Sequence, residues 1–108
     1  TSAASYDAIE HYLRNNPSPD GIVAASDVIA MSALRALAKH GKRVPQEVGV
    51  VGYDDIMIAS HTTPPLTTVR QHVARGADLM LSLLFRRMEG GEVVSVAMAP
   101  ELIVRDSA

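Results

Sequence analysis

The sequence contains no cysteine, which excludes disulfide scaffolds, cysteine-based zinc sites and thiol chemistry. No apolar run reaches the roughly 18–20 residues that a bilayer-crossing helix needs, and no signal-peptide pattern opens the chain. An excess of basic charge is missing too. Ten Lys and Arg against twelve Asp and Glu leave a net charge of −2, which argues against a nucleic-acid-binding module within these residues. Gly and Pro together make up only 13 of the 108 residues, so the chain does not read as a disordered segment. What is there is 47% apolar, enough for one modest core and not for two. The chain begins with Thr rather than Met, and its start reads as the middle of a domain. We expect a piece that is processed or cut from something longer.

The pattern along the chain alternates between helix and strand. Tyr6, Ile9 and Leu13 recur at helical spacing, with Asp7, Glu10, His11 and Arg14 on the other face and Ser5 as the expected N-cap. The turn-rich stretch Asn15 to Gly21 ends that helix. Ile22 to Ala25 is apolar without alternation, the habit of a parallel strand buried on both faces. Ser26 or Asp27 can cap the helix that runs from Val28 to about His40, and Gly41 stops it. That helix is apolar on more than one face, so a second face calls for a partner, expected to be another subunit. Val48 to Tyr53 is a second strand, and strand, helix, strand in this span is a parallel βαβ unit. Ile56 to Pro65 reads as a loop and Leu66 to Val69 as a short β-rich segment. A long amphipathic helix covers Gln71 to Met88, and Val93 to Val104 reads as extended around Pro100.

In open parallel α/β sheets, ligands bind beyond the carboxyl ends of the strands. Ser26-Asp27 and Asp54-Asp55 occupy those two ends. Three chemistries compete for them. A magnesium site would suit clustered carboxylates, but no Gly-rich phosphate loop and no neighbouring lysine accompany them. Paired carboxylates could do acid-base work, yet adjacent residues rarely face each other, and His61 and His72 show neither metal nor triad spacing. Those histidines read as solvated or capping. The third chemistry is recognition of a polyol, since one carboxylate can accept hydrogen bonds from two hydroxyls. For Asp27 and Asp55, simple capping of a helix or turn competes with any ligand role.

Several runs add a family likeness. Pro19 to Asp27 (PDGIVAASD) with Ala30-Met31, then Ser32 to Leu37, Gly41 to Pro45, Val48 to Asp55 (VGVVGYDD) and Thr63 to Gln71 (TPPLTTVRQ) stand in order, and Glu101 to Ser107 closes the chain. Together they resemble the C-terminal part of the effector-binding core of lactose-repressor-type (LacI/GalR) regulators. The resemblance implies an α/β fold, with parallel βαβ units of a periplasmic-binding-protein-like (type I) architecture, incomplete in this chain. It implies a cytoplasmic, non-enzymatic regulator that needs no cofactor and no metal. A small effector, a sugar or similar polar molecule, would bind in its cleft. A homodimer would bind operator DNA through an N-terminal helix-turn-helix absent from these residues, with no membrane partner. The organisation expected is 1–70 as a portion of the C-terminal subdomain, 71–92 as a helix packing on the N-terminal subdomain, and 93–108 as returning strands. Leu66 to Gln71 would be a hinge crossing. Such a piece exposes strand edges and apolar helix faces, so we expect it to need an oligomer, a swapped assembly or the rest of a longer chain.

By the same resemblance, Asp54 falls where the family holds a ligand-binding carboxylate. Ser26 stands where an Asn is usual, Asp27 is a cap with a secondary ligand role, and Val73 is a wall of the pocket. Met31, Leu34, Arg35, Ile58 and Thr62 are the expected dimer-interface residues. A periplasmic sugar-binding protein serving a transporter shares this core and is the alternative; a small hydrolase or phosphatase lacks a nucleophile and base.

Overall fold

The computed structural model describes residues 1–108. In chain order the elements are α1 (Ser2–Asn15), β1 (Gly21–Val23), α2 (Asp27–Lys39), β2 (Gly49–Tyr53), a 3₁₀ turn (Met57–His61), β3 (Thr67–Arg70), α3 (Val73–Met88) and β4 (Glu101–Ile103). The strands form one sheet in the order β1-β2-β3-β4. β2 pairs in parallel with β1 and with β3, placing Val23 opposite Val51 and Tyr53 opposite Val69. The parallel βαβ unit expected from the apolar pattern is therefore present. The segment Leu66 to Val69 contributes a full third strand rather than only a crossing.

Two compact units divide the chain. Thr1–Arg70 with Leu102–Ala108 make the first, and Gln71–Glu101 the second. In the first unit, α2 lays Ala30, Ala33, Leu34 and Leu37 against Val48 and Val50, with Ala24, Ala59 and Leu66 completing the core. Small residues dominate the inner face of α2, which lets the helix lie close to the sheet. Gly52 shows how close: a Cβ there would come within 2.3 Å of Asp27 Oδ1 and 2.9 Å of Leu66 Cδ2.

α1 changes the expectation for α2. Ile9 and Leu13 pack on the core cluster, and polar contacts run the length of the seam. Ser32 Oγ donates to Ser2 O at 3.2 Å, the Arg35 guanidinium lies 4.4 Å from the Tyr6 ring centre, and Glu10 meets Lys39 and His40. These pairings advance together along both chains, so α1 and α2 run parallel, as helices on one face of a parallel sheet do. α1 thus covers the side of α2 that carries Ser32, Arg35 and Lys39, while Val28 on α2 stays 46% exposed. Leu34 is only 8% exposed.

Other expectations are corrected as well. The first helix starts earlier than Ser5, capped by the Thr1 side chain, which accepts from the Ala4 N–H at 3.2 Å. Glu10 lies in the α1–α2 seam, not on the solvated face. Its carboxylate accepts from His40 Nε2 at 2.8 Å, and that hydrogen bond foremost holds its pKa below the ordinary value against the opposing effect of burial. β1 is not buried on both faces. It is an edge strand, and Val23, which shares a face with Val51 away from Val50 and Gly52, is 85% exposed. The final extended stretch is regular only over Glu101–Ile103.

The second unit is built around α3, a 16-residue helix none of whose residues is buried. Met80, Leu81, Leu84, Phe85 and Met88 are all more than half exposed. No helix in the chain is long and apolar enough to cross a membrane.

Gly52→Ala is expected to destabilise the first unit by about 3 kcal/mol, because the new methyl meets a buried carboxylate and a packed leucine that cannot both give way. Urea unfolding of the two chains measures this; an equal midpoint would show that the α2–β2 approach is looser than described.

Candidate functional site

β1 and β2 end side by side. Val23 and Val51 are partners in the parallel register, so Ser26 and Asp54 each lie three residues beyond a paired position. Neighbouring strands are about 4.8 Å apart, and the two polar turns therefore share one end of the sheet, as the spacing of the motifs anticipates.

The Ser26 side chain caps α2, accepting from the Ile29 N–H at 3.3 Å, and its residue is part-exposed. The hydroxyl proton remains available to donate outward. Asp54 is exposed, and its N–H donates to Val69 O at 2.9 Å. It takes φ 115°, and Asp55 takes φ 54°. Two successive non-glycine residues at positive φ store strain of about 1–3 kcal/mol each, which persists only where the surroundings over-determine it. Asp54 is thus an exposed, strained residue immediately after the carboxyl end of β2.

Asp27 does not share that position. It is fully buried; Oδ2 accepts from the Ile56 N–H at 2.8 Å and Oδ1 from the Thr68 hydroxyl. Both oxygens are spent inside the fold, and the cap is Ser26. Asp27 therefore neither caps α2 nor presents itself to a ligand.

Asp55, for which turn capping competes with a ligand role in the sequence, is the centre of a charge cluster. Its side chain is 8% exposed, with Oδ2 2.8 Å from Arg70 Nε and Oδ1 2.9 Å from Arg105 Nη1. Burial pushes its pKa up, but the hydrogen bonds and charges of Arg70 and Arg105 more than reverse this and hold the carboxyl below its ordinary range. Arg105 is further fixed, donating to Leu66 O at 2.9 Å from its side chain and to Thr67 Oγ1 at 2.8 Å from its backbone. Ser107, expected as part of a polar end, is fully buried and bridges β2 and β3. Its hydroxyl donates to Val50 O at 2.6 Å and accepts from the Thr67 N–H at 2.7 Å.

The remaining candidates disperse. Val73 opens α3 in the second unit and is 75% exposed. Ile58 is 48% exposed on the 3₁₀ turn, beside Met57 at 87%. Met31 is part-buried, and Arg35 is exposed with its guanidinium over Tyr6. Leu34 belongs to the core cluster and, at 8% exposure, offers little surface to a partner. The Thr62 hydroxyl is turned inward, donating to Pro64 O at 2.8 Å. His61 is exposed on the 3₁₀ turn beside Ser60, and His72 precedes α3 and lies 3.7 Å from Glu101. No three His, Asp or Glu side chains gather into a possible metal cluster.

The chain has counterparts among known proteins. The whole chain, residues 1–108, matches the model of the periplasmic binding protein-like domain. The chain belongs to that family. It is 40% identical over 102 residues to the HTH-type transcriptional regulator CelR of Thermobifida fusca, covering 93% of this chain and 30% of the relative. It is 33% identical over 104 residues to the HTH-type transcriptional repressor PurR of Pasteurella multocida, covering 94% and 31%. Among solved structures it superposes on the CelR–cellobiose complex with a TM-score of 0.90 and 38% identity, covering all of this chain and 34% of that one. The lac repressor dimer bound to operator and an anti-inducer superposes with a TM-score of 0.94 at 27% identity, covering 99% and 38%. The relatives are LacI-type transcriptional regulators, not enzymes, and the chain spans about a third of their length.

Asp55→Asn is expected to lower stability at pH 7 by about 2 kcal/mol, less than a fully buried pair because Arg70 is 43% exposed. The sign with pH follows from the depressed pKa. The stabilisation is present above the unfolded value of about 3.9 and is lost as pH falls through the folded value. Unfolding curves of wild type and variant should therefore stay separated from pH 7 to 5 and converge below about pH 4. A gap that persists into acid would rule out the ionised clamp.

Proposed function

We propose that these residues form the effector-binding and dimerising part of a cytoplasmic LacI-type regulator. A sugar held at Asp54 would bias the affinity of a separate helix-turn-helix for operator DNA. The observation that carries this reading is Asp54, exposed and backbone-strained at the carboxyl end of β2, at the same sheet end as the Ser26 hydroxyl that caps α2. Such a carboxylate can receive two sugar hydroxyls at once, and the serine can donate to a ring or hydroxyl oxygen. The likeness to a cellobiose-bound regulator supports a sugar as effector and makes cellobiose the first to try. Coupling to DNA is then an equilibrium effect: the effector favours one of two states that differ in operator affinity. No covalent step and no cofactor enter.

Within that regulator, 1–70 would belong to the C-terminal subdomain of the core, 71–92 would pack on the N-terminal subdomain, and 93–108 would carry the returning strands. The wholly unburied α3, with its apolar stripe, supports a packing role for that helix. Dimerisation would use the 3₁₀ turn and the exposed side of α2, where Met57, Ile58 and Val28 offer apolar surface beside Met31. The named relatives favour this reading over a transporter's sugar-binding protein.

Asp54→Ala is expected to weaken cellobiose binding at least about tenfold by titration calorimetry, which corresponds to loss of one charge-assisted hydrogen bond. The melting temperature should change by only a few degrees, since the Asp54 side chain is exposed and alanine keeps a Cβ at the same positive φ. An unchanged affinity in the variant would remove Asp54 from the site.

A further inference from the structure

Three successive residues after β2 are each pinned to a different part of the first unit. The Asp54 N–H donates to Val69 O on β3 at 2.9 Å. The Asp55 carboxylate receives Arg70 Nε and Arg105 Nη1 at 2.8 and 2.9 Å. The Ile56 N–H donates to Asp27 Oδ2 at 2.8 Å. Between the first and last pins the backbone passes through φ 115° at Asp54 and 54° at Asp55. A conformation of this kind does not hold itself, and something must over-determine it. The outer pins grip backbone N–H groups on either side of the strained pair. The Asp55 carboxylate grips from within the pair, through two charge-assisted hydrogen bonds.

The positions of the two arginines give the clamp a further meaning. Arg70 is the last residue of the first unit before the chain leaves it, and Arg105 follows three residues after the chain re-enters at Leu102. Arg105 is anchored to Leu66 O and Thr67 Oγ1 and is 19% exposed, whereas Arg70 is 43% exposed. One arm is therefore fixed in the body of the unit, and the other stands at its exit.

We infer that Asp55 is a positioning residue, whose two-arginine clamp holds Asp54 in its strained setting and ties that setting to both places where the chain crosses between units. The inference rests on the proposed role of Asp54 as the effector carboxylate and adds how its aim is kept. A displacement at either crossing reaches the ligand contact through a single side chain.

Two readouts on the full-length regulator that carries these residues test it. The first is a thermal cycle of wild type, Asp54→Gly, Asp55→Asn and the double variant. Glycine relieves the strain at Asp54 only while the clamp imposes it. The Tm change from Asp54→Gly should therefore be more favourable by about 4 °C with Asp55 intact than with Asn in its place. Changes that add to within about 1 °C would overturn the clamp. Should Asp55→Asn fail to fold, Arg105→Lys takes its place in the cycle, with a smaller coupling of the same sign expected and additivity again counting against the clamp. The second readout is cellobiose affinity. Asp55→Asn should weaken it at least about tenfold, while Arg105→Lys, which keeps a cation against Asp55, should weaken it less than about threefold. Unchanged affinity in Asp55→Asn would overturn the positioning role. If the full-length wild type does not bind cellobiose, the cellobiose reading fails on its own, and the thermal cycle still decides whether Asp55 holds the strain.

Discussion

The first unit depends on one buried carboxylate. Asp27 lies at the first residue of α2, where the helix dipole favours negative charge, and it has no exposed surface. A charge in that setting is tolerated only if its oxygens are satisfied. They are, by the Thr68 hydroxyl on β3 and the Ile56 amide in the loop after β2. Gly52 on β2 leaves the room for it. One side chain thus joins a helix, two strands and the loop that follows Asp54, so the sheet end is built from the inside.

The polar turn of the proposed site inherits its order from that junction. Ile56 is held by Asp27, Asp55 by Arg70 and Arg105, and Asp54 by its amide bond to Val69. What is left free to meet a ligand is what these ties do not consume, the Asp54 carboxylate and the donor side of the Ser26 hydroxyl. This division of labour explains why four neighbouring polar residues have different fates. Two are structural, one caps α2, and one is exposed.

The two units differ in how far they are finished. The first has a continuous apolar core under α1 and α2, and its C-terminal residues are sewn in by Ser107, which bridges β2 and β3. The second centres on a helix with no buried residue.

Much of the fold is legible locally. The apolar runs, the helical spacing of Ile9 and Leu13, the Ser26 cap and the stop at Gly41 are effects of neighbours three or four residues apart, and they locate the βαβ unit and put Ser26 and Asp54 at strand ends. Other features are not written in any local pattern. Asp27 reads as a cap, because its true partners lie 29 and 41 residues away. Asp55 and Arg105 are fifty residues apart and meet only once β3 and the final segment lie against β2. Glu10 sits on what the helix period marks as a polar face, and it is buried because His40 and Lys39 arrive beside it. Periodicity assigns a face but not what will cover it, which is why Leu34 proved to be core and Val23 exposed. The sequence alone therefore determined the order of elements and the carboxylate at the strand end; the tertiary structure decided which charges are buried, because only the packing of elements far apart in the chain brings those side chains together.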